Sequence, residues 1–303
     1  MGRRNQRRGY VGTPQPIYVK DADGSYVVMS GIVSVAAGDN FSLALTENGQ
    51  VYAWGRNTYG QLGVSATVNE SGRSAAPSLV LAPWNENENN TTEDGYLCGI
   101  VAISAGTTHS LALSYDGTVY AWGRAYYGEL GQGENENAKQ HLLSRTETYE
   151  DTSTAGGSGT VTIENTYTTR PLQVMSDQEG TKPLTNVVAI SAGSEFSVAL
   201  TVEGRVYTWG DNRRGQLGTN EANTVTSSRN YAQMINMRRE YTDQGLSGNL
   251  TPGFGGVVAI SAWGSTQSNP NNTSGHTVAI SIETDAYGVP TGATKVWGWG
   301  DNT

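Results

Sequence analysis

The chain has few of the side chains on which common catalytic and metal sites depend. Its 303 residues include one cysteine and three histidines. A single cysteine excludes an intrachain disulfide, and three dispersed histidines make a histidine-rich metal site or a Ser-His-Asp triad hard to build. No run of 18 apolar residues occurs, so the sequence predicts no membrane-spanning helix. These absences favour a protein that is not an enzyme.

Basic side chains are also scarce. Lys and Arg total 19 against 28 Asp and Glu, which gives a formal net charge of −9. Such a chain repels phosphate backbones and acidic membranes, so we expect neither a nucleic-acid partner nor membrane insertion. Abundant Asn, Ser, Thr and Gly with little Lys is typical of secreted microbial repeat proteins. We therefore expect an extracellular or cell-surface location.

What the chain does contain is one sequence pattern repeated four times. The first copy, residues 32–63, joins an Ala-Gly pair, a Ser-Leu-Ala-Leu run, an Asn-Gly turn, Val-Tyr-Ala-Trp-Gly and Gly-Gln-Leu-Gly. The second and third copies occupy residues 100–131 and 187–218. The fourth begins at Val257 and keeps a Val-Trp-Gly-Trp-Gly segment at 296–300, without a Gly-Gln-Leu-Gly. A repeat of this kind fixes the architecture.

Each copy has the pattern of short β-strands joined by turns. The apolar segments are brief, rich in Val, Ile, Tyr and Trp, and separated by Asn-Gly, Asp-Gly or Glu-Gly. Alternate side chains of residues 51–54 (Val-Tyr-Ala-Trp) lie on opposite faces, yet both faces are apolar, so neither suits water. A small antiparallel sheet covered on both faces by equivalent neighbours is the blade of a β-propeller.

These motifs resemble the repeat of the regulator of chromosome condensation family. In the second copy they run from Ala105-Gly106 through His109-Ser110-Leu111-Ala112-Leu113 to Gly128-Glu129-Leu130-Gly131. The resemblance implies an all-β β-propeller, most often of seven blades, whose binding surfaces lie in variable loops.

From the repeats we expect one β-propeller domain over residues 1–303. Four repeats predict four to five blades, or part of a larger ring, with long inter-strand insertions. The expected repeats are approximately 14–63, 77–131, 171–218 and 231–303. Each is predicted to begin with a strand ahead of its conserved core. The proposed leading strands are Pro16-Ile17-Tyr18-Val19, Pro77-Ser78-Leu79-Val80, Pro171-Leu172-Gln173-Val174 and Tyr231-Ala232-Gln233-Met234-Ile235.

The two ends of the sequence complement each other. Residues 5–13 align with 211–219, the tail of the third copy, so residues 1–13 are expected to complete the last repeat. Completion in cis would close a ring, and completion in trans would join two molecules head to tail. An excerpt of a longer array would have the same ends. The residues predicted for self-association are Arg7, Arg8, Gly9, Tyr10, Val11, Trp297, Trp299 and Asp301.

The insertions are the other places where binding is expected. A basic and aromatic cluster at Arg238, Arg239 and Tyr241 is a candidate partner-binding site. Acidic residues 85–94 could offer oxygen ligands to calcium, but they lack the spacing of a calcium loop. We interpret them, and residues 134–151, as solvated loops, and expect no cofactor.

Alternation of apolar and polar side chains in residues 159–167 predicts an additional hairpin strand, whose partner strand the sequence does not identify. Sequons permitting glycosylation lie at Asn69, Asn89, Asn90, Asn249, Asn271 and Asn272.

Two of the three histidines are expected in packing positions. His109 and His276 align with Phe41 and Phe196, and a position that accepts Phe is a core position. The sequence therefore favours a non-catalytic, extracellular or cell-surface structural or adhesive propeller that assembles with itself, as in a filament. The alternative is a protein-binding regulator, such as a secreted enzyme inhibitor or a GTPase exchange factor. A carbohydrate-active enzyme is a third class, which would need paired carboxylates.

Overall fold

The computed structural model describes most of the chain. The residues described are 13–21, 23–64, 72–83, 94–151, 159–219, 228–238, 241–242, 245–246, 251–252, 254–266, 273–285 and 289–301. Their architecture is all-β, as predicted, with four antiparallel sheets built from the four repeats.

Each of the four sheets is one blade. The first blade contains β3 (Ile32–Ala37), β4 (Phe41–Thr46), β5 (Val51–Arg56) and β6 (Arg73–Leu79). The second contains β7 (Ile100–Ala105), β8 (His109–Ser114), β9 (Val119–Arg124), β10 (Leu143–Asp151) and β11 (Gly159–Gln173), paired in the order β10-β11-β9-β8-β7. The third contains β12 (Val187–Ala192), β13 (Phe196–Thr201), β14 (Val206–Gly210) and β15 (Arg229–Met234). The fourth contains β20 (Val257–Thr266), β21 (Thr273–Thr284) and β22 (Pro290–Gly300).

Three small hairpins lie outside the blades. Strands β1 (Tyr18–Lys20) and β2 (Tyr26–Val28) pair near the start of the chain, and β1 contacts β6. Between the third and fourth blades, β16 (Met237–Arg238) pairs with β19 (Thr251–Pro252), and β17 (Tyr241–Thr242) pairs with β18 (Gly245–Leu246). In the described residues the single helix is α1 (Glu136–Lys139), and no helix is long and apolar enough to cross a membrane.

Consecutive blades pack face to face. Strands β3 and β4 contact β7, strands β7 and β8 contact β12, and strands β12 and β13 contact β20. Because side chains alternate across a strand, each blade has two faces, which we call forward and rear. The forward face of the first blade consists of Phe41, Leu43, Leu45, Val51 and Ala53, and it shares one buried cluster with Ala112, Tyr120 and Trp122 on the rear face of the second blade. The two later interfaces repeat this arrangement.

Glycine turns set the spacing between blades. Gly49, between β4 and β5, has φ of 79°, and its carbonyl accepts a hydrogen bond from Ile100 N at 3.0 Å. A Cβ on Gly49 would lie 3.0 Å from that same backbone nitrogen. The equivalent bonds join Val187 N to Gly117 O and Val257 N to Gly204 O, each at 3.1 Å. Glycine is needed here both for its left-handed backbone and for the close approach of the next blade.

One prediction from the sequence assigned strands to the wrong blade. The leading strands were predicted to begin the repeat that follows them, but β6, β11 and β15 pair with β5, β9 and β14 and so complete the preceding blade. The first of these segments, residues 16–19, contributes β1, which pairs with β2 instead of joining the first blade. A strand can return antiparallel beside the strand that precedes it in the chain, and this local pairing gives the first three blades their fourth strand.

The second insertion is an extension of the second blade. The predicted strand at 159–167 is confirmed within β11, and its partner is β10, paired from Leu143↔Tyr167 to Asp151↔Gly159. The interpretation of 134–151 as a solvated loop was therefore wrong, because α1 and β10 occupy that segment. Its polar alternation conceals a strand that pairs at the edge of a blade, where one face remains in water.

We predict that Trp122→Phe destabilises the fold more than Trp54→Phe does. Trp122 is fully buried and its indole donates to Gln61 O, whereas Trp54 is half-buried on the rear face of the first blade. Loss of a buried hydrogen bond and of ring volume at Trp122 should cost about 2–4 kcal/mol of unfolding free energy, against less than about 1 kcal/mol at Trp54. Urea denaturation measures both, and equal losses would contradict this account of the blade interface.

Candidate protein-interaction site

The contact between blades has one repeated polar element. In the second, third and fourth blades, one Trp of the rear face donates its indole N–H to a backbone carbonyl in the turn that follows the third strand of the preceding blade. Trp122 donates to Gln61 O at 3.0 Å, Trp209 to Glu129 O at 2.8 Å, and Trp299 to Gln216 O at 2.9 Å. In the part of the chain that the structure describes, Trp54 has no such acceptor. Among the described residues, the rear face of the first blade has no preceding blade beside it.

The forward face of the fourth blade is likewise uncovered. Val278, Ile280 and Val296 are 38%, 38% and 75% exposed. The equivalent side chains of the first three blades are at most 3% exposed, because the next blade covers them. These equivalents are Leu43, Leu45 and Val51, then Leu111, Leu113 and Val119, then Val198, Leu200 and Val206. A contiguous apolar face that is buried in its equivalents is typical of a protein interaction surface.

One sheet edge beside that face has no paired strand among the described residues. β5, β9 and β14 each pair with a fourth strand, whereas among the described residues β22 pairs only with β21. An edge strand presents unpaired N–H and C=O groups on which another strand can add. The fourth blade thus offers both an apolar face and a pairing edge.

The structure places the predicted self-association residues in two groups. Arg7, Arg8, Gly9, Tyr10 and Val11 lie outside the described residues. Trp297 and Trp299 are half-buried on the rear face of the fourth blade, where both contact Phe254 edge-to-face. Asp301 N donates to Gly275 O within the same blade. The two Trp side chains are thus engaged inside the chain, and the exposed face is formed by Val278, Ile280 and Val296. Alignment of the four copies by face would have identified those three positions.

The predicted partner-binding cluster is described only by its backbone. Arg238 lies in β16 opposite Thr251, and Tyr241 lies in β17 opposite Leu246. Arg239 is outside the described residues. The cluster therefore remains a prediction. The acidic segment 85–93 and the six sequon asparagines also lie outside the described residues.

A buried polar cluster joins the first three blades. The Arg124 guanidinium donates to Glu195 Oε1 at 3.2 Å and to Asn165 Oδ1 at 2.8 Å. It also lies over the rings of Tyr59, Tyr126 and Tyr127, at 5.2 to 5.5 Å from their centroids. Arg124 and Glu195 are 5% and 2% exposed. The cluster therefore connects three blades and the β10–β11 hairpin through one cation.

Glu129 is the second carboxyl of this cluster. One of its oxygens accepts from Tyr127 N at 2.7 Å, and Oε1 has no hydrogen-bond partner in the described residues. Complete burial, and then the nearby carboxylate of Glu195, raise the pKa of Glu129 well above its usual range, while Arg124 opposes the shift. The first and third repeats have Gln61 and Gln216 at this position, where a neutral amide makes the same turn contact. The Glu129 carboxyl therefore takes the structural place of the Gln amide, and because it is buried, its ionisation lowers the stability of the fold.

The first strands of the four blades meet around one opening, together with the turns that follow them in the first three blades. They line a cavity of about 370 Å³ whose lining includes Gly38, Gly106, Gly193 and Gly264. Trp263 stands at its rim and is 57% exposed, 5.8 Å from the His276 ring. Such an opening, lined by strand ends and turns, is a second surface on which a partner could bind.

The histidines do not form a metal site in the described part of the chain, where no group of three or more His, Cys, Asp or Glu side chains lies together. His109 is fully buried, as predicted for a packing position, and its Nε2 is 2.9 Å from Ser197 Oγ. Desolvation lowers the pKa of His109 to about 3. His276 is half-exposed instead of buried, because it lies on the uncovered forward face of the fourth blade.

Comparison with known proteins gives one consistent family. Two family models described as "Regulator of chromosome condensation (RCC1) repeat" match the chain, one at residues 32–61, 100–129 and 187–216 and the other at 48–113, 116–146 and 203–231. The human "E3 ubiquitin-protein ligase HERC2" is 32% identical over 228 residues, 65% of this chain and 4% of that protein. "Protein pim1" of Schizosaccharomyces pombe is 31% identical over 221 residues, 72% of this chain and 33% of that protein.

A solved structure supports the fold. The crystal structure of Kap60 bound to yeast RCC1 (Prp20) matches with a TM-score of 0.50 and 22% identity over 78% of this chain and 41% of that chain. The chain thus spans a third or less of the two curated relatives above and less than half of this structural neighbour.

We predict that Glu129→Gln stabilises the protein at neutral pH. A raised pKa means that the folded state holds its proton while the unfolded state loses it, so stability falls as pH rises above about 4.5. The amide removes this loss, and we expect a gain of about 1–3 kcal/mol at pH 7 that shrinks towards pH 4. Urea denaturation across pH measures the difference. Gln61→Glu in the first blade is the reciprocal control and should lose stability at pH 7. A pH-independent effect of Glu129→Gln would contradict the burial of an ionisable carboxyl.

We predict that His109→Phe changes the acid stability of the protein. A pKa of about 3 means that only the unfolded state gains a proton as pH falls from about 6.5, so the wild type loses up to about 1.4 kcal/mol per pH unit in that window. Phe, which repeats one and three carry here, has no such dependence. Thermal or urea unfolding at pH 7.5, 6 and 5 should show the variant gaining on the wild type as pH falls. If the stability of the wild type and of the variant changed with pH in the same way, this prediction would be wrong. The control is His141→Phe, in the loop after α1.

Proposed function

Because the chain belongs to the regulator of chromosome condensation (RCC1) repeat family, we propose that it is a non-catalytic propeller unit that acts by binding proteins, including copies of itself. Its proposed role is structural or adhesive, at the cell surface or outside the cell. Head-to-tail assembly through the first and last blades would place many units in a row, as in a filament.

The observation that carries this proposal is the uncovered forward face of the fourth blade. Val278, Ile280 and Val296 present aliphatic side chains to water at positions that three equivalent blades bury. Covering a fully exposed Val or Ile contributes about 1.5–3 kcal/mol, so leaving such a face in water is unfavourable unless a partner covers it. The rear face of the first blade offers the complementary surface, with Trp54 and Tyr52 half-buried.

The net charge and the apolar character of the uncovered face support the kind of partner. A net charge of −9 keeps an assembling protein soluble while opposing contact with nucleic acid. The uncovered face consists of aliphatic side chains, so we expect the partner surface to be apolar and aromatic and not basic. The rear face of a blade, with its Tyr and Trp side chains, is such a surface.

A regulator that binds a different protein is the second candidate. It is supported by the structural neighbour, yeast RCC1, which is bound to Kap60 in its crystal structure. The opening with Trp263 at its rim would then be the binding surface. The rear face of the first blade and the forward face of the fourth would take no part in binding that partner.

We predict that the purified chain forms oligomers whose size rises with concentration and that Val296→Lys abolishes them. Val296 is 75% exposed, so lysine is tolerated in the single molecule but would be desolvated in an apolar contact. Deleting residues 1–13 should also abolish assembly. Sedimentation velocity over a hundredfold concentration range measures both effects.

Val188→Lys is the matched control. Val188 is 54% exposed on β12 of the third blade, away from both end faces, so the same change there should leave assembly intact. A wild-type chain that stays monomeric at every concentration would overturn the self-association proposal. Loss of assembly in both lysine variants would show that the fourth-blade face is not the contact.

A further inference from the structure

The segment around β1 has the sequence pattern of the strand that the fourth blade lacks. Residues 16–19 (Pro-Ile-Tyr-Val) match 77–80 (Pro-Ser-Leu-Val) and 171–174 (Pro-Leu-Gln-Val), which lie at the ends of the fourth strands of the first and second blades. Val80 and Val174 are fully buried, and Val19 is 8% exposed. The segment therefore combines a fourth-strand sequence with a position outside any blade.

The register of such a strand is the same in three blades. In the first, Tyr52 lies opposite Leu79 and Val80 N donates to Val51 O at 2.9 Å. The second blade has the equivalent bond from Val174 N to Val119 O, and the third from Ile235 N to Val206 O, both at 2.9 Å. Transferred to the open edge of β22, this register places Val19 opposite Val296, Tyr18 opposite Trp297 and Ile17 opposite Gly298.

The edge of β1 that this register uses is at present occupied by β2. Met29 N donates to Ile17 O at 2.8 Å, and Val19 lies opposite Val27 in the same ladder. Since alternate residues of an antiparallel strand bond to the same side, the hydrogen-bonding groups of Ile17 and Val19 face β2. The β1–β2 hairpin thus caps the edge by which β1 could join a blade.

The capping hairpin is easily exchanged. Its two strands pair over three residues each, and all three β2 side chains are exposed, by 41% to 64%. A two-stranded hairpin of this size is marginally stable by itself. Replacing β2 by β22 would keep the backbone hydrogen bonds of β1 and would add burial of the side chains that the hairpin leaves in water.

The same docking would satisfy the first blade. In the interface between the first and second blades, Val80, which directly follows β6, lies in one cluster with the forward face and with Trp122 of the next blade. If β1 is the fourth strand of another molecule's fourth blade, then the first blade of its own molecule follows as the next blade. Trp54 then faces Val278, Ile280 and Val296, in the way that Trp122 faces Leu43, Leu45 and Val51.

We infer that β1 is a donor strand for a second copy of this chain: it leaves β2 and adds to β22 of the neighbouring molecule, in the register Ile17 opposite Gly298. This inference rests on the proposed self-association and assigns its contact. Each molecule donates strand β1, which precedes its first blade, and accepts the β1 strand of a neighbour at its fourth blade. The contact is therefore head to tail, and two copies do not form a closed dimer.

The test is a cysteine pair placed in that register. Ile17→Cys with Gly298→Cys, in a Cys98→Ser background, puts two thiols at a hydrogen-bonded antiparallel pair, where Cα atoms are about 5.5 Å apart and a disulfide can form. Ile17 is 41% exposed, and a Cβ on Gly298 has its nearest neighbours at 3.9 Å, so neither change disturbs the single molecule. After mild oxidation, non-reducing electrophoresis should show a ladder of dimers, trimers and larger species.

The control pair is Ile17→Cys with Val296→Cys, which moves the second thiol two residues, roughly 7 Å, along β22. We expect at least tenfold less cross-linking from the control pair. No ladder, or an equal ladder from both pairs, would overturn the register while leaving the sedimentation result to decide the proposed function. A fast-migrating oxidised monomer would show that β1 reaches β22 of its own chain, which would overturn the assignment to a second copy.

Discussion

The structure depends on the contact between the forward face of one blade and the Trp-bearing rear face of the next. A blade of three or four short strands is apolar on both sides, so it is unstable in water by itself and stable only between neighbours. The indole N–H bonds of Trp122, Trp209 and Trp299 fix how far each blade is rotated relative to the one before it, since each bond reaches a defined carbonyl of the preceding turn. The glycine turns that join one blade to the first strand of the next supply a second fixed point. Stability therefore accumulates by interface, as in other repeat proteins.

This dependence explains the character of the two outer blades. The first has a rear face and the fourth a forward face with no neighbour among the described residues, and the same amino-acid types that form core elsewhere lie partly in water there. His109 and His276 show the effect at one repeat position, because the first is fully buried between blades and the second is half-exposed. A surface of this kind is a consequence of repetition, since the sequence of a terminal repeat keeps the apolar pattern of an internal one. It becomes functional if another polypeptide completes the stack.

Much of the fold followed from the printed sequence, and particular failures have physical causes. The spacing of Asn-Gly and Trp-Gly predicted the strands and turns of each blade, because those signals are local. The fourth strands were assigned to the wrong blade, since pairing across a long insertion leaves no local signal at Pro77 or Pro171. The strand β10 was hidden by its polar alternation. The Arg124, Glu195 and Glu129 cluster was not foreseen either, because its members come from two repeats that only the folded chain brings together. The pKa of Glu129 is raised there by burial and by the nearby Glu195, neither of which has a local signal in the sequence.

The amino-acid sequence by itself determined that this protein is a propeller of the RCC1 repeat family, since four copies of one strand and turn pattern, apolar on both faces, can be satisfied only by stacking. It also determined that Trp and Gly recur at the interfaces. Only the tertiary structure decided which copies of those faces are covered and which remain in water. Exposure belongs to the arrangement of neighbours and not to the residue, so Leu45 and Ile280, at equivalent positions, differ from 2% to 38% exposed. Likewise, the strand with which β1 pairs depends on which strand edge lies beside it, and the folded chain determines that arrangement.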